Sequence, residues 1–147
     1  MGQYDSPKEA DWVTGCCFLI RQSVMERIGF LDEGYFCYWE ETDYCFRARK
    51  AGYETVYVPK AKIWHKLSLS AKKVSGFTRY YMTRNRFRFM KKHASKLQNC
   101  CFVIYFFGFY FWLAAGYYLI LCRSLDLLTS FYRGVKDGLH GVAGASI

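Results

Sequence analysis

The sequence predicts an α/β domain followed by helices that associate with a membrane, and three observations predict it. An apolar run of strand length, Trp12–Ile20, precedes a short helical pattern, and a second helical pattern is followed by the alternating stretch Glu54–Val58. A long uncharged stretch, Cys100–Cys122, follows further on. Between them, Ser75–His93 interleaves aromatic and basic residues at helical spacing.

Met1–Asp11 is a polar lead-in, with Pro7 discouraging regular structure. Trp12–Ile20 reads as a buried strand interrupted at Gly15. Ser23 and Glu26 have capping-box spacing and Gly29 is a stop, so Val24–Ile28 is expected to be a short helix. An aromatic loop containing Gly34 leads to a helix from Glu40 or Glu41 to Ala51, with acids in its first turn, Arg47, Arg49 and Lys50 in its last, and Gly52 beyond. Glu54–Val58 then reads as a strand ending at Pro59, and Ala61–His65 as a shorter one. Residues 1–74 are taken as the α/β part, and 75–96 as a basic amphipathic helix.

Residues 97–123 are taken as a transmembrane or membrane-embedded helix. As a helix, Cys100–Cys122 is about 34 Å long, enough for a bilayer core of roughly 30 Å. In 124–147 the apolar residues Leu128, Phe131, Tyr132, Val135 and Leu139 form a stripe opposite Arg133 and Lys136, suited to the headgroup region, and the last seven residues are expected to fray. The net charge of +9 with 20% aromatic residues favours an anionic membrane or substrate. No nucleic-acid motif accompanies the basic residues, so nucleic acid is not expected as a partner. Seven cysteines without a CxxC spacing indicate neither a zinc site nor a disulfide framework.

Glu40, Glu41 and Asp43 place three acids within four residues, a repulsive grouping that helix stability alone does not favour. On a helix, Glu40 and Asp43 share a face and Asp43 lies four before Arg47, while Glu41 points elsewhere. Spacing leaves two readings open: a solvated helix start with a salt bridge, or a carboxylate acting as general base on a hydroxyl. His65 at a strand end suits a structural role or a contact to metal or phosphate. Arg84 and Asn85 suit a phosphate contact or a lipid headgroup, with lipid favoured.

The segments GCCFLIR from Gly15, IGFLDE from Ile28, WEETDYCFRARKAGY from Trp39, VPKA from Val58, WH at Trp64 and YYMTRNR from Tyr80 together resemble the C-terminal half of a glycosyltransferase family 2 enzyme, closest to rhamnosyltransferase-like members. The resemblance runs from Asp11 to His93. It implies a partial GT-A-like fold, the acceptor-side half of a Rossmann-like nucleotide-sugar transferase. It also implies inverting transfer of a sugar, in cell-surface polysaccharide or glycolipid synthesis, to a hydroxyl of a lipid-linked acceptor. The family's E-D-x-D motif stands here as Glu40, Glu41, Thr42, Asp43, which makes Glu41 the catalytic base, with Glu in a position where Asp is common. Glu40, Asp43 and Arg47 are then supporting residues, Trp12, Gly15 and Trp39 line the acceptor side, and His65 lies near metal and diphosphate. The D-x-D metal motif of the family's nucleotide-binding half does not occur. A divalent cation, Mg or Mn, and the nucleotide sugar are therefore expected only with a complete donor half. The expected setting is a membrane with the catalytic part on the cytoplasmic side. The alternative is a catalytically inactive, membrane-anchored binding module that retains the half-fold.

Overall fold

The computed structural model describes residues 5–65 and 75–146. The described residues are mostly helical, the larger share in the helices expected after residue 75, and their one sheet has two short strands. β1 (Lys8–Glu9) pairs antiparallel with β2 (Val56–Tyr57), Lys8 opposite Tyr57. The polar lead-in thus forms a strand where none was expected, and the expected strand Glu54–Val58 shortens to its centre. Trp12–Ile20 and Ala61–His65 have no strand structure. A strand needs a ladder partner for its N–H and C=O groups, and among the described residues neither stretch has one. Trp12 and Leu19 are instead solvent-exposed, Leu19 almost completely.

α1 (Gln22–Ile28) begins at Arg21, with no side-chain cap, so Ser23 lies inside the helix and the expected capping box does not form. Glu26 accepts instead from the Gln22 side chain at 2.8 Å. Gly29 does close the helix, with φ 79° and its N–H on Met25 O. α2 (Glu40–Lys50) carries all three acids in its first turn and three cations in its last, matching the macrodipole. Val24, Tyr44 and Ala48 join α1 to α2 in a small core.

The larger core is helical and aromatic. α3 (Gly76–His93) starts at Ser75, whose hydroxyl accepts from Thr78 N–H. Ser95 and Gln98 then form a capping box that starts a continuous 26-residue helix, Lys96–Leu121. Within it α4 (Lys96–Tyr105) and α5 (Phe111–Gly116) are separated by the π-wound stretch Phe106–Tyr110, and a second π stretch, Tyr117–Leu121, follows. α6 (Leu125–His140), capped by Ser124, doubles back and packs along α3. Its buried face is Leu127, Phe131, Gly134, Val135 and Gly138, so of the stripe expected at the headgroups Phe131 and Val135 are turned into the protein, while Tyr132 and Leu139 stay exposed. Gly134 and Gly138 permit this approach. A Cβ on Gly134 would lie 2.7 Å from Tyr80 O, and one on Gly138 2.9 Å from the Phe87 side chain.

The basic residues of α3 are also turned inward rather than offered as a surface stripe. Arg79 covers Tyr118 and Arg86 covers Tyr110, Arg88 and Lys92 bond Asp32, and Lys91 donates to Gly138 O and Leu139 O at the end of α6. α3 is therefore the central strut, joining the α2 unit to the apolar helix and α6.

Candidate functional site

The site is built on the loop between α1 and α2. A short 3-10 turn, Glu33–Tyr35, is capped by Asp32, whose carboxylate accepts from Gly34 N–H at 2.9 Å. Phe36, Tyr38 and Trp39 then all adopt positive φ, at 62°, 65° and 78°. Such backbone costs on the order of 1–3 kcal/mol per residue and persists only where surroundings over-determine it.

Arg84 and Asn85 supply that determination. Both are fully buried. Asn85 Nδ2 lies 2.8–2.9 Å from the carbonyl oxygens of Tyr35, Cys37 and Tyr38. The Arg84 guanidinium donates to Tyr35 O at 2.8 Å, Gly34 O at 3.2 Å, Asn85 Oδ1 at 2.9 Å and Gly144 O at 2.6 Å, and lies over the Tyr81 ring. This corrects their placement at a phosphate or lipid headgroup: their donors are already spent on backbone carbonyls. The residues expected to fray are caught in the same grip, with Gly144 N–H on Gly34 O and Ser146 N–H on Tyr81 OH. Arg84 satisfies carbonyls of a loop that has left regular structure and so cannot pair them in a ladder.

Asp43 is the second fixed point. It has no exposed surface, and it meets Arg47 Nε at 2.8 Å, Lys92 Nζ at 2.8 Å, His93 Nε2 at 2.7 Å and Tyr35 OH at 3.2 Å. The expected Asp43–Arg47 pair is present, but it is one part of a larger cluster. Burial pushes Asp43 up, yet hydrogen bonds from Lys92, His93 and Arg47 outweigh it and hold the carboxyl below its usual range. Burial likewise opposes ionisation of Asp32, but Lys92, Gly34 N–H and Arg88 bring it down to about 2. Burial, with Asp43 beside it, pushes the Tyr35 phenol up. The Asp43 carboxylate is thus surrounded by four donors.

The neighbouring residues differ. Trp39 Nε1, Glu40 Oε2 and Glu41 Oε2 are buried and have no hydrogen-bond partner among the described residues. Buried polar atoms without partners are rare enough to call for an explanation, and three on consecutive residues mark where an external polar group would fit. Glu40 is pushed up, by burial first and then by the charge of Glu41. Gly15 faces Glu41: a Cβ there would lie 3.9 Å from Glu41 Cδ. Trp39 is fixed against Phe89, ring centroids 5.3 Å apart. Gly15, Trp39, Glu40 and Glu41 are thus brought together. Trp12 and His65 are both exposed. Among the described residues no three His, Cys, Asp or Glu side chains converge as a cation site.

Asp32, Tyr35, Lys92 and His93 belong to the site but were not singled out in the sequence. Asp32 lies in the motif IGFLDE, and Lys92–His93 end a helix whose basic residues read as a lipid-facing stripe. The signal that was available is the position of the KKH run in the last turn of α3, where cations favour the helix terminus.

The glycosyltransferase-like family 2 model matches residues 2–88. An N-acetylglucosaminyl-diphospho-decaprenol L-rhamnosyltransferase of Mycobacterium tuberculosis is 42% identical over 60 residues, 41% of this chain and 20% of the relative. The low-salt glycan biosynthesis hexosyltransferase Agl10 of Haloferax volcanii is 43% identical over 49 residues, 33% of this chain and 16% of the relative. The rhamnosyltransferase WbbL of Escherichia coli is 43% identical over 49 residues, 33% of this chain and 19% of the relative. The match therefore spans about a fifth or less of each of these relatives. No solved structure matches. The family match covers more than half of the chain and includes the strained loop, the acid cluster and the Arg84–Asn85 grip that positions them: the chain belongs to the glycosyltransferase-like family 2 and over 49–60 residues is similar to rhamnosyl- and hexosyltransferases.

Proposed function

We propose that the chain is the acceptor-side, base-bearing part of an inverting glycosyltransferase that moves a sugar from a nucleotide sugar to a hydroxyl of a lipid-linked acceptor. The observation that carries this is the row of unpartnered buried atoms on Trp39, Glu40 and Glu41, beside a neighbouring carboxylate, Asp43, whose own valences are filled. Glu41 takes the hydroxyl proton as the acceptor oxygen attacks the anomeric carbon. The bond from that carbon to the nucleotide diphosphate breaks, and the diphosphate leaves with the electron pair, inverting the configuration. Gly15 leaves room in front of Glu41, and Trp39 presents its indole N–H and an apolar face for a sugar.

The lipid-linked acceptor follows from the mycobacterial relative, whose name gives a diphospho-decaprenol compound as its substrate. The run Trp12–Ile20, whose Trp12 and Leu19 are exposed, is where further strands of a complete GT-A-like fold would pair, and the donor would bind beyond that edge. The described residues do not by themselves fit a divalent cation: no ligand set converges, and His65 is a single exposed imidazole. The acid cluster is placed on the cytoplasmic side because nucleotide sugars are available there.

The test is sugar transfer to a polyprenyl-diphosphate acceptor by membranes from cells producing the full protein, with wild-type and Glu41→Gln chains at matched, folded amounts. Loss of at least about a hundredfold in turnover is expected for removal of a general base. Undiminished turnover in E41Q removes Glu41 from this role.

A further inference from the structure

The helix Lys96–Leu121 is long and apolar enough to cross a bilayer, but the residues packed against it are unsuited to a bilayer interior. Its inner face, including Phe106, Ala114 and Tyr118, is buried with Phe87, Leu127, Phe131 and Val135 of α3 and α6. Phe131 contacts Phe106, Phe111 and Tyr118, with ring centroids 5.6–6.3 Å apart, so it lies beside the middle third of the long helix. Arg133 and Lys136, both exposed, follow it on α6 within about 7.5 Å along the axis. From α3, Arg86 lies 4.7 Å from the Tyr110 ring centroid and Arg79 4.9 Å from that of Tyr118.

If the helix crossed a membrane, this middle third would lie at the bilayer centre, and so would Arg86, Arg133 and Lys136, with Arg79, against Tyr118, nearer the end of the helix. Ionised side chains at that depth are strongly disfavoured unless they face a bundle interior or a water-filled cavity. Arg133 and Lys136 face neither here. The opposite face of the helix is apolar and exposed, carrying Ile104, Phe109, Trp112, Leu113 and Ile120. Exposed cations, Lys96 and Arg123, stand at its two ends.

We propose that Lys96–Leu121 lies in the plane of an anionic lipid surface as a monotopic platform. The Ile104–Trp112–Ile120 face enters the acyl boundary, Lys96 and Arg123 meet headgroups, and α3 and α6 ride above it in water. Amphipathicity is completed by the tertiary structure: the polar side of the platform is contributed by the helices packed on it rather than by the helix itself. Both ends of the helix then lie on one side of the membrane. The strut α3 holds the acid cluster at a fixed height above the lipid. This suits a lipid-linked acceptor but does not depend on it.

Two measurements on the full chain test the proposal. Inside-out and right-side-out vesicles from producing cells are treated with a membrane-impermeant maleimide, and Cys100 and an introduced Arg123→Cys are read by peptide mass spectrometry. Both sites are expected to label in the same preparation, and labelling in opposite preparations overturns the proposal in favour of a span. Flotation of the purified chain with phosphatidylglycerol–phosphatidylcholine vesicles is expected to weaken at least about tenfold in Trp112→Glu, whose side chain is exposed and outside the core. Unchanged flotation of W112E, or self-association through this face without vesicle binding, also overturns it. E41Q is expected to label and float as the wild type, so failure of the transfer reaction and failure of the membrane platform are separable.

Discussion

Replacing Asp43 by Asn keeps shape and volume but removes the charge that Arg47, Lys92 and His93 converge on. The amide also puts a donor where the site supplies only donors. Truncating one partner of a buried ionic cluster costs about 3–5 kcal/mol, because the remaining charges stay buried without compensation. Here Lys92 and Arg47 keep 32% and 19% of their side-chain surface. Lys92 also retains Asp32, and Arg47 retains Ile28 O and Phe30 O. These residual contacts place the expected loss near the low end, about 3 kcal/mol. For a chain of this size that lowers Tm by about 9 °C. The assay is thermal unfolding by circular dichroism at neutral pH, in the same lipid or detergent for both proteins. A double-mutant cycle with Lys92→Met adds a second reading and is expected to show coupling of at least about 1 kcal/mol. A Tm shift under about 1 °C, or strict additivity in the cycle, would refute the assignment of Asp43 as the electrostatic anchor of α2.

Arg84→Lys leaves one ammonium for acceptors on Gly34, Tyr35, Asn85 and Gly144. It is expected to cost about 2 kcal/mol and to speed limited proteolysis within residues 141–146. Gly134→Ala is expected to destabilise more than Gly138→Ala, within about 1–3 kcal/mol, because it meets the Tyr80 backbone carbonyl rather than a ring that can swing. Gly108→Ala, with nothing within 4 Å, is expected to be neutral or slightly stabilising in the same urea titrations. Asp32 and Asp43 both have carboxyls lowered from 3.8 on folding. Each contributes stability that is present above the unfolded carboxyl's range and lost as pH falls through its lowered folded value; for Asp32 that loss runs from about pH 4 towards about 2 and, after solvent screening, is on the order of 1 kcal/mol. Urea midpoints that stay flat from pH 5 to about pH 2.5 would contradict this.

The order and type of the helices were legible because each carries its own signals. α2 has acids first, bases last and Gly52 after, and α6 has Ser124 before it and Gly141 beyond. The strands were not legible in the same way. Trp12–Ile20 has the composition of a buried strand, but a strand is completed by a partner, and no described segment pairs with it. At the site, the pairing of Asp43 with Arg47 followed from four-residue spacing within one helix. Its contacts to Lys92 and His93 cross some fifty residues of chain, which no local pattern encodes.

The sequence by itself determined the family, the acid cluster at the start of α2 and the existence of a long uncharged helix, since these reside in residue identity and short-range spacing. Only the tertiary structure decided what the charges do. Arg84 and Asn85 look like ligands for an external anion until the loop 34–39 is seen to leave its carbonyls unpaired against them. The cations of α3 look like a lipid-facing stripe until α6 and the apolar helix occupy that face. The physical reason is common to both. A charged side chain is assigned by whichever partner compensates its desolvation, and that partner is brought into reach by packing between segments far apart in the chain.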